Sequence, residues 1–311
     1  MIINKKIKPL LIPRNKADPV GMGQEIAKSF KRIDQIFKQI KVEVRQLLDI
    51  NLAQRFKTNA LEEITSTDLA ELLETIQRIL DRNLLSGAED GGRLWFDTFI
   101  DTATKKGTQS AVTDLTLQSE TYRNSRNLGS ILFNPQYMKT LSIAHTANYA
   151  AWKGVSAAVR KELAEIITEA IFNGDNVKVT ARNIKERLNV SNRRAKLIAQ
   201  TEQLAAYRRA EWKEAEEARK ELGLNTKLLH FSALKPTTRL THAERHGKYF
   251  DVDDVKEWYS KDGNRFNCYC KQSVIVLNKD GKSDIEPLLK SLSDERENWV
   301  GALRKKRNEE K

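Results

Sequence analysis

Cysteine is scarce in this chain: of 311 residues two are cysteines, Cys268 and Cys270. A disulfide framework needs more cysteines at wider spacing, so the class of disulfide-rich secreted scaffolds is excluded, and the composition agrees with a reducing compartment. A bridge between these two is disfavoured, because so tight a spacing fits disulfide geometry poorly. We therefore expect two unbridged thiols.

Long apolar runs are also missing. No stretch approaches the roughly 20 apolar residues that span a bilayer, and lysines interrupt residues 1–9 too often for a secretory signal. With 40% hydrophobic residues the chain still has enough apolar material for real cores, and its length allows two domains. We therefore predict a folded, cytosolic protein without a membrane segment.

Common catalytic motifs are absent as well. The sequence has no Gly-x-Ser-x-Gly elbow, no phosphate-binding glycine loop, no His-Glu-x-x-His motif and no obvious carboxylate triad. No feature of the sequence demands catalysis, and we expect a protein that is not an enzyme.

Residue types that bind metals are concentrated near the C-terminal end. Two of the four histidines, His242 and His246, precede the cysteine pair in one short region. Thr241 with Glu244 resembles a capping box, and Gly247 is a natural helix terminator. The two histidines are therefore expected to share a short helix and to face the same way.

The cysteine pair offers the complementary half of a metal site. If its segment is extended, as residues 273–277 indicate, Cys268 and Cys270 project from one face. Two thiolates and two neutral imidazoles complete a tetrahedron around zinc, so His242, His246, Cys268 and Cys270 are candidate ligands of a closed, structural zinc site. The alternative is two small buried thiols and two surface histidines without a metal.

An enzymatic interpretation of the same residues also exists. His242-Ala243-Glu244 followed by two cysteines resembles zinc deaminases, in which a glutamate moves protons beside a zinc-bound water. Glu244 would then act with His242, Cys268 and Cys270 in a zinc-dependent hydrolase or a toxin-type nuclease. The cysteine spacing differs from that signature, no proline precedes the pair, and His246 would fill the position that catalysis needs open.

Several short motifs of this region occur in a recognisable order. They are Thr238-Arg239, His242, His246-Gly247-Lys248-Tyr249-Phe250, Asp253-Asp254, Trp258 and Asn267-Cys268-Tyr269-Cys270, preceded upstream by Ile198-Ala199-Gln200-Thr201-Glu202. This order resembles the phage minor head proteins, the head-morphogenesis family of phage Mu protein F and the SPP1 minor capsid protein. The resemblance covers roughly residues 150 to 277. The motif residues that it singles out are Thr201, Glu202, Arg239, Gly247 and Asn267.

The chain departs from the family pattern at four polar positions. Lys235 and Thr237 stand where the family usually has aspartate and arginine, and Gln200 and Tyr269 each replace an arginine. The salt bridges of those family residues are therefore not expected here. The framework of histidine, glycine and cysteine is retained.

The resemblance implies a structural role in the virion. It implies a minor head (capsid) protein of a tailed phage that acts in procapsid assembly and in DNA packaging, retention or delivery near the portal. The implied partners are the portal protein, the major capsid protein and phage double-stranded DNA bound without sequence preference, and a homo-oligomer is possible. The implied location is the capsid interior or portal vertex, with the host cytoplasm, and no membrane, during assembly.

The charge of the chain agrees with a polyanionic neighbour. The formal net charge is +12, and basic residues collect at both termini. Because neither cluster carries aromatic residues for base stacking, we expect salt-dependent contacts to phosphates. The alternative is that both termini are solvated and serve solubility. The candidate DNA-binding residues are Lys5, Lys6, Lys8, Arg14 and Lys16 in the arm and Arg304, Lys305, Lys306 and Arg307 in the tail.

Apolar periodicity predicts the fold class. A heptad seam of coiled-coil type runs from Ile26 to Leu47, and the next helix, with its start marked by Asp68, offers an intramolecular partner, although another subunit is the alternative. Strand signals begin only at Leu228. We predict a mainly α protein with a small α+β C-terminal domain, in which long amphipathic helices precede a compact Cys/His-containing module. The predicted segments are a basic extended arm at 1–22, a helical body at 23–225, the head-morphogenesis domain at 226–280 and a helical charged tail at 281–311.

Residues 180–194 have the spacing of a helix-turn-helix, with Ser191 beginning the second helix and Arg193 and Arg194 at its front. A transcription regulator is therefore a third hypothesis. Good helix formers continue to Gly223, however, and one unbroken helix over 193–222 would exclude that hypothesis.

Overall fold

Helices make up most of the chain, as the apolar periodicity predicts. The computed structural model describes residues 12–51, 65–88, 91–173, 175 and 177–309. The long helices are α1 (Gly23–Asn51), α2 (Ser66–Leu84), α3 (Asp97–Gln118), α6 (Pro135–Asn173), α7 (Val177–Leu222) and α10 (Glu286–Glu309). The short helices are α4 (Glu120–Ser125), α5 (Leu128–Leu132), α8 (Leu240–Ala243) and α9 (Val252–Ser260). Among the residues that the structure describes, no helix is both long and apolar enough to cross a membrane.

The strands form a small antiparallel sheet in the order β2-β1-β3. They are β1 (Asn225–Phe231), β2 (Tyr249–Phe250) and β3 (Lys271–Leu277). Leu228 pairs with Val274 on one side and with Phe250 on the other. The predicted fold class, mainly α with a small α+β domain near the C-terminus, is confirmed.

Both faces of the sheet are buried because neighbouring strand residues project to opposite sides. Leu228 and Val274 pack with Trp212 of α7 and Val255 of α9. The apolar cluster on the other face, which includes residues of α10, consists of Leu229, Phe231, Ile275, Leu277, Ile285 and Leu292. Burial on two sides explains why the strands read as nearly continuous apolar runs.

Contacts divide the described residues into two compact units. One contains the described residues up to Gln24, Phe99–Ala144 and the described residues from Thr201 onward. The other contains the described residues of Glu25–Thr98 and His145–Gln200. The segment boundaries predicted from the sequence, at 22, 225 and 280, stay a prediction.

The predicted seam of α1 has a partner within the same chain. Ile33, Phe37, Ile40 and Val44 are buried on α1, and Arg82 of α2 donates to Glu43 at 2.5 Å. At the end of the seam the buried residue is Leu48, whereas the predicted Leu47 is half-buried. A straight helix drifts from a strict heptad, which accounts for this shift of one position.

The helix-turn-helix prediction is wrong. Helix α7 runs without interruption from Val177 to Leu222, and neither glycine nor proline occurs within it. Ser191 lies inside this helix, where its hydroxyl donates to the carbonyl of Arg187 at 3.0 Å instead of capping a new helix. The continuous helix removes the structural basis of the transcription-regulator hypothesis. Helix α6 is likewise continuous from Pro135 to Asn173.

Helices α3 and α7 approach closely where α3 carries a glycine. A Cβ atom on Gly107 would lie 2.1 Å from the carbonyl oxygen of Tyr207. We expect Gly107→Ala to lower the free energy of unfolding by about 1–3 kcal/mol, because the backbones must separate to admit the methyl group.

Urea unfolding of the full chain measures this effect, and Gly154→Ala is the matched control. Gly154 is also inside a helix, α6, but an added Cβ meets nothing within 4 Å. Helix propensity alone should make that variant more stable by about 0.5–1 kcal/mol. Equal effects of the two substitutions would contradict the close approach.

Candidate metal centre

The cysteines lie in the loop between α9 and β3, here called the cysteine loop (residues 261–270). Both side chains are buried and unbridged, as expected. Asn267, directly before Cys268, has a φ of +49°, a left-handed conformation that asparagine tolerates better than most residues. Cys270 directly precedes Lys271, the first residue of β3, so the pair lies at the entrance to this strand.

Three of the four candidate ligands come together. The Nδ1 atom of His242 lies 3.4 Å from the Sγ atom of Cys268 and 3.6 Å from that of Cys270. Donor atoms of the three residues all lie within 4.8 Å of one another, and all three residues are buried. In tetrahedral zinc sites with bonds of about 2.3 Å to sulfur and about 2.0–2.1 Å to nitrogen, neighbouring nitrogen and sulfur ligands are about 3.6 Å apart. The geometry therefore fits a metal ion at His242, Cys268 and Cys270.

His246 is not part of this group, and the prediction of a shared helix is wrong. Helix α8 ends at Ala243, so it is too short to bring His246 onto its face, and no side chain caps its start. Instead the Nδ1 atom of His246 accepts the N–H of Ser232 at 3.0 Å. Burial lowers the pKa of His246 to about 4, with Glu295 acting in the opposite direction. His246 is therefore a neutral, buried packing residue.

The two thiols differ in acidity. Burial raises the pKa of Cys268, but a hydrogen bond from Cys270, the charge of Arg208 and a hydrogen bond with His242 outweigh it, so the pKa lies well below its usual value. The pKa of Cys270 is raised well above its usual value by its hydrogen bond with Cys268 and by burial. Cys268 is thus the thiol that ionises first, and a thiolate is the form that binds metals.

Arg208 is the residue that sequence reasoning missed. It lies on α7, is fully buried, and donates from Nη2 to the carbonyl of Cys268 and from Nε to that of Cys270 at 3.3 Å. Its guanidinium also lies 4.7 Å from the ring centroid of Tyr259. Arg208 therefore fixes the backbone of both candidate ligands. The only sequence signal was an arginine six positions after the Thr201-Glu202 motif.

The family-motif residues hold the same loop. The hydroxyl of Thr201 accepts the N–H of Asn267 at 3.4 Å, and Glu202 accepts from Arg265 at 2.6 Å. Arg239 donates to three loop carbonyls, those of Gly263, Asn264 and Phe266, at 2.9–3.1 Å. Thr201 and Glu202 of α7 thus bond to the cysteine loop.

Gly247 has a packing role in the same unit. Its φ of +74° is in the left-handed region, and an added Cβ would lie 2.7 Å from the Cβ atom of Leu292 on α10. A side chain there would push α10 away from the sheet.

A cavity of about 90 Å³ adjoins the candidate ligands. His242, Cys268 and Cys270 all contribute to its wall. The other lining residues are Ala233, Lys235, Thr237, Thr238, Arg239, Asn267 and Tyr269. Glu244, the acid/base residue of the deaminase interpretation, is exposed and does not belong to this lining.

Two departures from the family pattern contact each other at this cavity. The Nζ atom of Lys235 lies 3.4 Å from the ring centroid of Tyr269, a cation–π contact. The resemblance described above implies an aspartate at the position of Lys235 and an arginine at that of Tyr269. A cation–π pair thus occupies the positions of two oppositely charged residues.

The candidate DNA-binding residues are only partly described. Lys5, Lys6 and Lys8 lie outside the described residues. Arg14 and Lys16 are exposed, and Lys16 forms an ion pair with Glu295 at 2.9 Å. Lys305 is exposed on α10; the side chains of Arg304, Lys306 and Arg307, which share that helix, are outside the described part.

Comparison with known proteins identifies this region. Residues 161–273 match the family model described as Phage Mu protein F like protein. The resemblance predicted from the motifs is thereby confirmed over these residues.

One curated relative carries a different name. Over 185 residues the chain is 32% identical to the NAD(+)--arginine ADP-ribosyltransferase EFV of Enterococcus faecalis, and the alignment covers 52% of this chain and 38% of that protein. The chain thus spans well under half of this relative. No solved structure matches the chain.

Proposed function

We propose that this chain is a structural minor head protein of a tailed phage that acts in head morphogenesis. The observation that carries the proposal is the family match over residues 161–273, the region in which the motif residues converge on the cysteine loop. Thr201, Glu202 and Arg239 bond to the cysteine loop, and this use of motif residues supports a structural role. The family match supports the general role of a protein of phage head morphogenesis.

The finer role that we propose is procapsid assembly and DNA packaging, retention or delivery near the portal. The proposed partners are the portal protein, the major capsid protein and phage double-stranded DNA. The proposed location is the capsid interior or the portal vertex. Long helices with exposed polar faces and a net charge of +12 support contacts to a shell and to a polyanion.

Deletion of the gene in its prophage, followed by induction, tests the head-morphogenesis role. We expect fewer filled heads by electron microscopy, restoration by the wild-type gene, and detection of the chain in purified particles by mass spectrometry. Normal yields of filled heads from the deletion strain, with no chain in wild-type particles, would overturn the proposal.

We also propose that zinc occupies His242, Cys268 and Cys270 as a structural ion. The distances between donor atoms and the burial of all three residues support it. Zinc bound there would supply cross-linking of α8 to the cysteine loop. Arg208 and Arg239 fix the position of the cysteine loop, and His242 presents its Nδ1 atom to both thiols.

The basic arm gives a separate prediction about DNA. Deleting residues 1–16 removes Lys5, Lys6, Lys8, Arg14 and Lys16, and should weaken binding to random-sequence duplex DNA. The slope of log K against log salt concentration should also flatten, by about 0.9 for each phosphate that the arm neutralises. Fluorescence anisotropy over a salt series measures both quantities.

A charge-matched variant is the control for the arm. It replaces five basic residues of α1 with glutamine: Lys28, Lys31, Arg32, Lys38 and Arg45. Its net charge equals that of the truncated chain, so an effect of the arm alone must leave this variant's slope close to the wild-type value. Equal slopes for the truncated and full-length chains would show that the arm does not contact phosphate.

A zinc-dependent hydrolase or toxin-type nuclease is the second candidate, because three protein ligands beside a cavity also fit catalytic zinc. Within the described lining of the cavity there is no carboxylate to act as a general base, and Glu244 is exposed. These two facts support the non-enzymatic proposal. We expect zinc-loaded protein to leave cytidine, single-stranded DNA and RNA unchanged, and to transfer no ADP-ribose from NAD to arginine; turnover that Glu244→Gln abolishes would favour the hydrolase.

A further inference from the structure

We propose that the metal held by His242, Cys268 and Cys270 keeps a fourth coordination position open to the cavity, which takes an exchangeable oxygen-donor anion of the carboxylate class. This inference rests on the zinc binding proposed above. It replaces the closed four-ligand site that the sequence predicts with a site that can bind a ligand from outside the chain.

The site offers three metal-donor atoms, one from each residue. Among the described residues, no fourth histidine, cysteine or carboxylate joins the three within mutual reach. His246, the predicted fourth ligand, uses its Nδ1 atom to accept the N–H of Ser232, and its Nε2 atom lies 3.6 Å from Glu295. Zinc with three protein ligands keeps a position for water or another ligand.

The neighbouring hydroxyl groups have other contacts. The hydroxyl of Tyr259 lies 3.5 Å from the Sγ atom of Cys268, but it accepts a hydrogen bond from Gln272 at 2.8 Å. The hydroxyl of Ser232 accepts from the Cys270 thiol at 3.8 Å. Neutral hydroxyls of this kind are not among the usual ligands of zinc.

A cavity lies beside the three ligand residues. All three ligand residues contribute to its wall, so a metal bound to them borders this space. Its volume of about 90 Å³ exceeds the roughly 30 Å³ that one water takes up in the liquid. A ligand larger than water therefore fits beside the metal.

The charges of the residues around the cavity determine which class of ligand the site favours. Zinc with two thiolates is neutral, and Arg208, fully buried, adds a positive charge beside them. Lys235 and Arg239 bring two further cations to the cavity wall, and no carboxylate occurs among its described lining residues. A small anion is therefore favoured over a neutral or cationic ligand.

Cobalt substitution of the full-length protein tests the inference, with sodium acetate as the probe. Cobalt reports its coordination through visible absorption, which does not depend on any activity. We expect the wild-type spectrum to change saturably with acetate. A spectrum that stays constant up to high acetate concentrations would overturn the open position while leaving zinc binding intact.

Three variants sharpen the test. His246→Gln should bind cobalt with an unchanged spectrum, and His242→Gln should lose the metal. Lys235→Gln should keep its metal but bind acetate about three- to tenfold more weakly, since one nearby charge is removed. Loss of cobalt from His246→Gln equal to that from His242→Gln would show a closed four-ligand site and overturn the inference.

Failure of the inference is distinguishable from failure of the proposals on which it rests. Wild-type protein that binds neither cobalt nor zinc would overturn the metal site and the open position together. The role in head morphogenesis is tested by the gene deletion alone, so it stands or falls independently of the cobalt spectrum.

Discussion

Replacing Arg208 with methionine is expected to lower the free energy of unfolding by about 2–6 kcal/mol. Arg208 donates to the carbonyls of both cysteines from a fully buried position. Methionine fills a similar volume but donates no hydrogen bond, so two buried carbonyls lose their partner, at about 1–3 kcal/mol each. Chemical denaturation followed by tryptophan fluorescence measures the loss, because Trp212 and Trp258 pack around the same core.

Arg209→Met is the matched control for this prediction. Arg209 is the next residue of α7, is partly buried, and its Nε and Nη2 atoms have no hydrogen-bond partner among the described residues. Its removal costs a charge interaction with Glu202 and some packing, so we expect a loss of about 1 kcal/mol or less. If the two variants unfold at the same denaturant concentration, Arg208 does not hold the cysteine loop in place.

Replacing Cys268 with serine is expected to release the metal and to remove the stabilisation that the metal provides. A ligand present at about 100–1,000 times its Kd stabilises the folded state by about 3–4 kcal/mol, and that difference should disappear in Cys268→Ser. The measurement combines metal content by mass spectrometry with thermal unfolding before and after treatment with a chelator. Wild-type protein should respond to the chelator, whereas the variant should not.

His145→Ala is the control for metal content, since His145 lies on α6, outside the candidate ligand group. It should retain about one zinc per chain, like the wild type. A chelator that leaves the wild-type melting temperature unchanged would exclude structural zinc. The thiols and His242 would then be held by their own hydrogen bonds.

Periodicity in the sequence was sufficient to predict the fold class and most of the elements. The spacing of the apolar residues of α1 indicates which side of that helix is buried, and the apolar runs after Leu228 indicate strands buried on both faces. The bonds of Thr201 and Glu202 to the cysteine loop agree with the rule that polar residues buried on an amphipathic helix require partners.

The parts that sequence reasoning missed depend on contacts between distant residues. A capping-box pattern at Thr241 and Glu244 predicted a helix long enough to include His246, but α8 ends at Ala243. The spacing of His242 and His246 therefore gave a wrong prediction of a shared helix face. Arg208 could not be assigned from its neighbours, because its partners are carbonyl groups sixty and more residues away, and a carbonyl leaves no mark in the sequence.

The contact between Lys235 and Tyr269 has a consequence for chimaeric proteins. The family resemblance implies a different residue at each position, and in this chain the two residues contact each other at the cavity wall. A chimaera that takes only the segment around position 235 from such a relative would place aspartate beside Tyr269. One that takes only the segment around position 269 would place arginine beside Lys235. Exchange of modules between relatives should therefore succeed only when both segments travel together.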